Sequence, residues 1–98
     1  MRYLLSGGFE RILRRRHPVE RMEIQRNIDA LVRAFEARNL PLGFGINKMG
    51  ESVWEFRVDL ATRILFQWDQ ETVTFLFVGN LNEVRQFLKH YFLGLTIG

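Results

Sequence analysis

The 98-residue chain contains no cysteine, which excludes both a disulfide framework and a thiolate metal site. Its two histidines, His17 and His90, stand far apart in the sequence and form no ligand cluster. No metal and no small-molecule cofactor is therefore expected. No apolar run approaches the ~20 residues of a membrane span. Met1-Arg2-Tyr3-Leu4-Leu5 is too short for the core of a signal peptide. The expected location is the cytoplasm, without membrane contact. Prolines are also few, and both Pro18 and Pro41 fall where a helix would begin or stop.

What is present suits one small core. Hydrophobic residues make up 47% of the chain and thirteen residues are aromatic, which excludes disorder. This length supports a single domain over residues 1–98. The net charge is +3, and it is unevenly spread. Residues 1–50 hold ten Lys/Arg against five Asp/Glu, and residues 51–98 hold four against six. A basic half on a small domain suits a polyanionic partner; the plainer reading is a solvated helix surface.

Three runs carry the strand signal. Val53-Trp54-Glu55-Phe56-Arg57-Val58-Asp59 alternates, with Trp54, Phe56 and Val58 on one face and Glu55, Arg57 and Asp59 on the other. In Arg63-Ile64-Leu65-Phe66-Gln67-Trp68, the residues Ile64, Phe66 and Trp68 oppose Arg63, Leu65 and Gln67. Val73-Thr74-Phe75-Leu76-Phe77-Val78 is almost wholly apolar, as a strand covered on both faces is. Together they predict an antiparallel meander with an aromatic core on one face. Glu55, Arg57 and Arg63 mark the other face, and function is expected there. Trp54 and Trp68 read as packing residues.

The remaining elements follow in order. Met1 to Leu5 reads as a short strand. Ser6 caps a short helix carrying Phe9, Ile12 and Leu13, which His17-Pro18 breaks. Pro18 opens a second helix with the stripe Ile24, Ile28, Leu31, Val32 and Phe35. Asn39 is its expected left-handed stop, and Pro41 forbids continuation. Leu42 to Met49 is a glycine-containing link with room for an irregular edge strand. After Val78, a capping signal at Gly79-Asn80-Leu81-Asn82 opens a third helix with Leu81, Val84, Leu88 and Tyr91 on its apolar face. Phe92 to Gly98 is an apolar, glycine-punctuated tail. The predicted fold class is α+β: a short strand and two helices packed on an antiparallel meander, then a C-terminal helix.

The residues of these strands resemble a known family. Trp54-Glu55-Phe56-Arg57-Val58, Arg63-Ile64-Leu65-Phe66 and Phe75-Leu76-Phe77-Val78-Gly79 look like the W-E-x-R … R-x-x-F … V-G core of the RelE/ParE toxin superfamily. Leu40-Pro41 before the meander and a helix opening near Asn82-Glu83-Val84-Arg85 also match the type II toxin pattern. The resemblance runs over roughly residues 3 to 91. It implies a RelE-like fold. In RelE-type members it implies a metal-independent endoribonuclease that cuts mRNA in the ribosomal decoding site and is neutralised by a cognate antitoxin protein. In the ParE branch it implies a gyrase poison instead. Its partners would be the antitoxin, the message and ribosomal RNA.

Residue by residue, the resemblance gives Arg63 the role of contacting the scissile phosphate, and Arg57 that of a basic strand position facing RNA. Lys48 lies near a cation of some members. The sequence also departs from the pattern. Asn80-Leu81-Asn82 stands where many RelE-type enzymes carry a further arginine, and Phe87 lacks the hydroxyl that several members have. His90 and Tyr91 match no family position. Cleavage by 2′-hydroxyl attack needs a base, an acid and cations for the pentavalent phosphate. Arginine forks suit phosphate oxygens, so Arg57 and Arg63 are the candidate cations. Glu55 is a candidate base, or it orients an arginine. Against this stands a simple cross-strand ion pair between Glu55 and Arg63, worth ~0.2–1 kcal/mol on a surface. Arg14, Arg15 and Arg16 either grip RNA phosphates or decorate a helix C-terminus that favours cations.

Overall fold

The computed structural model describes residues 1–39 and 45–97, with side chains to 93 in the last helix. Expectations placed on Leu40-Pro41, Leu42 to Phe44 and Gly98 lie outside the described residues. The elements are β1 (Arg2–Leu5), α1 (Gly7–Arg15), α2 (Pro18–Glu36), β2 (Ile46–Lys48), β3 (Val53–Arg57), β4 (Arg63–Asp69), β5 (Thr72–Gly79) and α3 (Leu81–Ile97). The fold is α+β, in the predicted order, and the link before the meander does contain an edge strand. One five-stranded sheet runs β1-β5-β4-β3-β2. All its pairings are antiparallel except β1 with β5, which is parallel.

Local chemistry sets the helix ends. Ser6 Oγ accepts the Phe9 N–H at 3.1 Å and starts α1. His17 caps α2 through Nδ1, which accepts the Val19 N–H at 3.1 Å, with Pro18 in the first turn. α2 stops at Ala37, and the left-handed residue is Arg38, with φ of 53°, one position before the predicted Asn39. The Asn39 N–H reaches the Ala34 carbonyl and the Arg38 N–H reaches Phe35, both at 3.0 Å, closing a Schellman turn. Asn80 and Glu83 cap α3 reciprocally: each side chain accepts the other's backbone N–H, at 2.9 and 2.8 Å. α3 then continues through the residues expected to form an apolar tail.

α1 and α2 cover one face of the sheet. Phe9, Leu13, Ile24, Ile28, Leu31 and Phe35 pack against Phe56, Ile64, Phe66, Val73, Phe75 and Val78. That burial drives the fold, and it follows the predicted alternation of β3 and β4. Trp54 and Trp68 pack at its rim, with ring centroids 5.8 Å apart. α3 crosses the other face, where Val84 and Leu88 bury Val53 and Leu65. β5 is therefore covered on both faces, as its apolar run requires. A register shift opposite Leu65 and Phe66 makes Leu76 an extra residue in β5, which lets both Leu76 and Phe77 pack with the α3 layer.

Candidate functional site

β3 ends at Arg57, two residues earlier than the alternation suggested. Asp59 turns the chain by accepting the N–H groups of Ala61 and Thr62 at 2.8 and 2.7 Å. An aspartate side chain that satisfies its own turn leaves no ladder to continue. Arg57 and Arg63 are thus the last and first residues of their strands, directly opposite each other. With Glu55 they share the α3 side of the sheet, as predicted.

The surroundings differ from those expected of an open face. Arg63 Nη1 donates to Glu55 Oε1 at 2.8 Å, with the two side chains only 14% and 4% exposed. The pair is buried, beside Leu65, which α3 covers. Arg63 Nε is buried and has no acceptor among the described residues. Glu55 thus forms the cross-strand ion pair with Arg63. Arg57 is exposed and makes no side-chain ion pair or hydrogen bond with a described residue. Like charges directly across a ladder repel. Here Glu55 relieves only one of the two.

Lys48 falls elsewhere. It pairs in register with Trp54, so it points to the α2 side, and its Nζ lies 5.6 Å from the Trp54 ring centroid. The residue of β2 that shares the Glu55 face is Asn47. Lys48 is therefore not brought together with Arg57 and Arg63. The arginine run at the end of α1 is split as well. Arg16 reaches the end of β5, where Nη2 donates to the Val78 carbonyl at 3.3 Å, and it pairs with Glu20 at 3.5 Å. Arg14 and Arg15 are exposed and unpaired among the described residues. Because Val78 lies one residue before Gly79, the partner of Arg63, this basic end sits at the same end of the sheet.

The other proton-transfer candidates lie away from the two arginines. His17 caps α2. Tyr91 packs between Phe87 and Phe92, with centroids 5.7 Å from each. His90 lines a groove with Phe77, Asn82, Glu83, Gln86 and Phe87 on the β5 side of α3. No group of three or more His, Asp or Glu among the described residues is placed to hold a metal. No helix among them is long and apolar enough to cross a membrane.

No protein-family profile and no curated protein matches the sequence. The solution structure of the conserved hypothetical protein HP0894 from Helicobacter pylori is similar, at 9% identity and a TM-score of 0.47 over 84% of this chain and 96% of that one. A likeness so distant carries no statement about function.

Proposed function

We propose that the chain is the toxin component of a type II toxin–antitoxin module and that it engages ribosome-bound mRNA through the corner around Arg57. The W-E-x-R and R-x-x-F strands support this reading. So does the observation that carries it: Arg57 and Arg63 stand directly opposite each other at their strand ends, and Glu55 pairs with Arg63 alone. Such a pair suits an anion with several oxygens, and a phosphodiester is one. Arg14 and Arg15, at the same end of the sheet, would meet neighbouring ribosomal phosphates. A cognate antitoxin segment, acidic or amphipathic, would lie over the basic helices and the sheet edge. β1 offers that edge, with Leu4 and Leu5 exposed beside it.

If the message is cut, the 2′-oxygen attacks the adjacent phosphorus. A 2′,3′-cyclic phosphate forms, the bond to the 5′-oxygen breaks, and a proton passes from the attacking to the leaving oxygen. The arginines would hold the charge on the phosphoryl oxygens. A second reading, a non-nuclease member of the same fold, is favoured by the state of Glu55. Its carboxylate is buried and bound to Arg63, so it is not free to take the 2′ proton. That member would be a gyrase inhibitor or a binding domain whose cleavage chemistry has decayed.

Induction in cells followed by a pulse label separates these readings. The mRNA reading expects rapid loss of methionine incorporation, with cut messages seen by primer extension, and a loss of ~10²–10³-fold in Arg57→Ala. Arrest of DNA synthesis while translation continues would point to gyrase. Continued growth with full expression would sink the toxin reading.

A further inference from the structure

Residues 51–98 carry four cations, Arg57, Arg63, Arg85 and Lys89, among six acids. The phase of α3 is fixed by three contacts. Val84 and Leu88 face down onto Val53 and Leu65. Glu83, Phe87 and His90 turn toward Phe77 on β5. Phe92 turns the opposite way, to the β2–β3 turn, where a Cβ on Gly50 would lie 2.5 Å from its Cζ. Arg85 and Lys89 stand seven and three residues before Phe92, so the three form one stripe. That stripe faces β3 and β2. Both cations are exposed and unpaired among the described residues.

All four cations of this half therefore border one corner. Of the six acids, Glu55 is held by Arg63, while Asp59, in the loop just after Arg57, and Glu83, whose Oε1 would lie 2.9 Å from a Cβ on Gly79 opposite Arg63, border the same corner with their carboxylates bonded to backbone N–H groups. Asp69 and Glu71 flank the β4–β5 turn, and Glu51 sits in the β2–β3 turn. The corner is a wedge. α3 leaves the sheet from β5, two strands and about 10 Å from β3, and meets the β2–β3 turn at Phe92.

We propose that Arg85 and Lys89 form the wall of this wedge and, with Arg57 on its floor, bind the phosphodiester backbone of a single RNA strand. This rests on the RNA reading above and adds two residues to it. An acidic protein segment fits less well. Such segments dock through apolar anchors, and the apolar groove beside α3 lies on its other flank, at Phe77 and Phe87. Apart from Leu81, the wedge-side stripe of α3 offers cations until it closes at Phe92. Sequence reasoning missed Arg85 and Lys89 because the flank a helical residue faces depends on how the helix lies on the sheet.

The test is fluorescence anisotropy of the whole chain with a short labelled oligouridylate, titrated at several KCl concentrations. Each phosphate contact on a single strand contributes about 0.7 to the slope of log affinity against log salt. Three such cations predict a slope near −2, with Arg85→Ala and Lys89→Ala each reducing it by about 0.7. Arg26→Ala and Arg33→Ala, exposed on α2, should leave it unchanged. If Arg85→Ala and Lys89→Ala keep the full slope while Arg14→Ala and Arg15→Ala lose it, the wedge is refuted and the RNA reading survives. If the unaltered chain does not bind oligouridylate at low salt, both fall. If polyglutamate competes as well as unlabelled oligouridylate, the site takes carboxylates and the phosphodiester assignment is overturned. Melting followed by circular dichroism confirms that each variant is folded.

Discussion

Removing Arg63 alone should unsettle the fold before it informs on any activity. At the observed 2.8 Å separation, two unit charges attract by roughly 6 kcal/mol at an effective dielectric of about 20. Most of this is offset by desolvation, which costs several kcal/mol for each buried ion. The net value of the intact pair is therefore small. The single variant is different, because Arg63→Ala leaves the Glu55 carboxylate buried without its partner, at a cost of ~3–5 kcal/mol. A domain of this size has about 5–15 kcal/mol in total, so the variant would be marginal. That cost exceeds the ~0.2–1 kcal/mol of a surface ion pair, because both side chains are buried. The double variant Glu55→Leu/Arg63→Met removes both charges and should lie within ~2 kcal/mol of the original, or above it. Urea denaturation followed by Trp54 and Trp68 fluorescence measures all three. If Arg63→Ala unfolds within 1 kcal/mol of the unaltered chain, the pair is not buried in solution and the argument fails.

Two further outcomes follow from the packing and from the one large pKa shift. Leu31 is fully buried in the α2 layer, so Leu31→Ala should cost ~2–5 kcal/mol by the same urea assay; near-neutral stability would mean that α2 presents another face. Tyr3 Oη donates to Glu36 Oε1 at 2.7 Å, and burial, helped by that bond and by the Glu36 charge, pushes its pKa from 10.0 up to about 12. A pKa raised on folding gives stability that is full below pH 10 and is lost as pH climbs toward 12. Absorbance titration of a Tyr91→Phe variant isolates Tyr3, and Glu36→Gln should move its midpoint down without removing the part due to burial.

Alternation made the core face of β3 and β4 legible, because a period of two leaves Trp54, Phe56, Ile64 and Phe66 no other side to share. It also put Glu55, Arg57 and Arg63 together. It could not show that two of these three would be buried on a face that α3 crosses, since that face is covered by a helix more than fifteen residues later. The side of the sheet that Lys48 takes was not legible for a related reason. Its face is decided by which residue of β3 it opposes, and a three-residue strand after a glycine-containing link sets no register of its own. Arg16 shows the limit of reading charge runs. Three adjacent arginines look alike in sequence, yet one holds a strand end and two face solvent.

The parallel pairing of β1 with β5 bears on how the chain assembles. The meander joins neighbours in sequence, so its loops are short to close. β1 must instead wait for a partner some seventy residues away, as the Ser6 hydroxyl does for the Leu76 carbonyl. At ordinary rates of synthesis, 5–20 residues per second, that wait is about 4–14 s. During it the first strand has left the ribosome while its place in the sheet does not yet exist. Leu4 and Leu5 then depend on whatever else can pair with an extended apolar strand, so a segment present at translation has an opening that closes once β5 is complete.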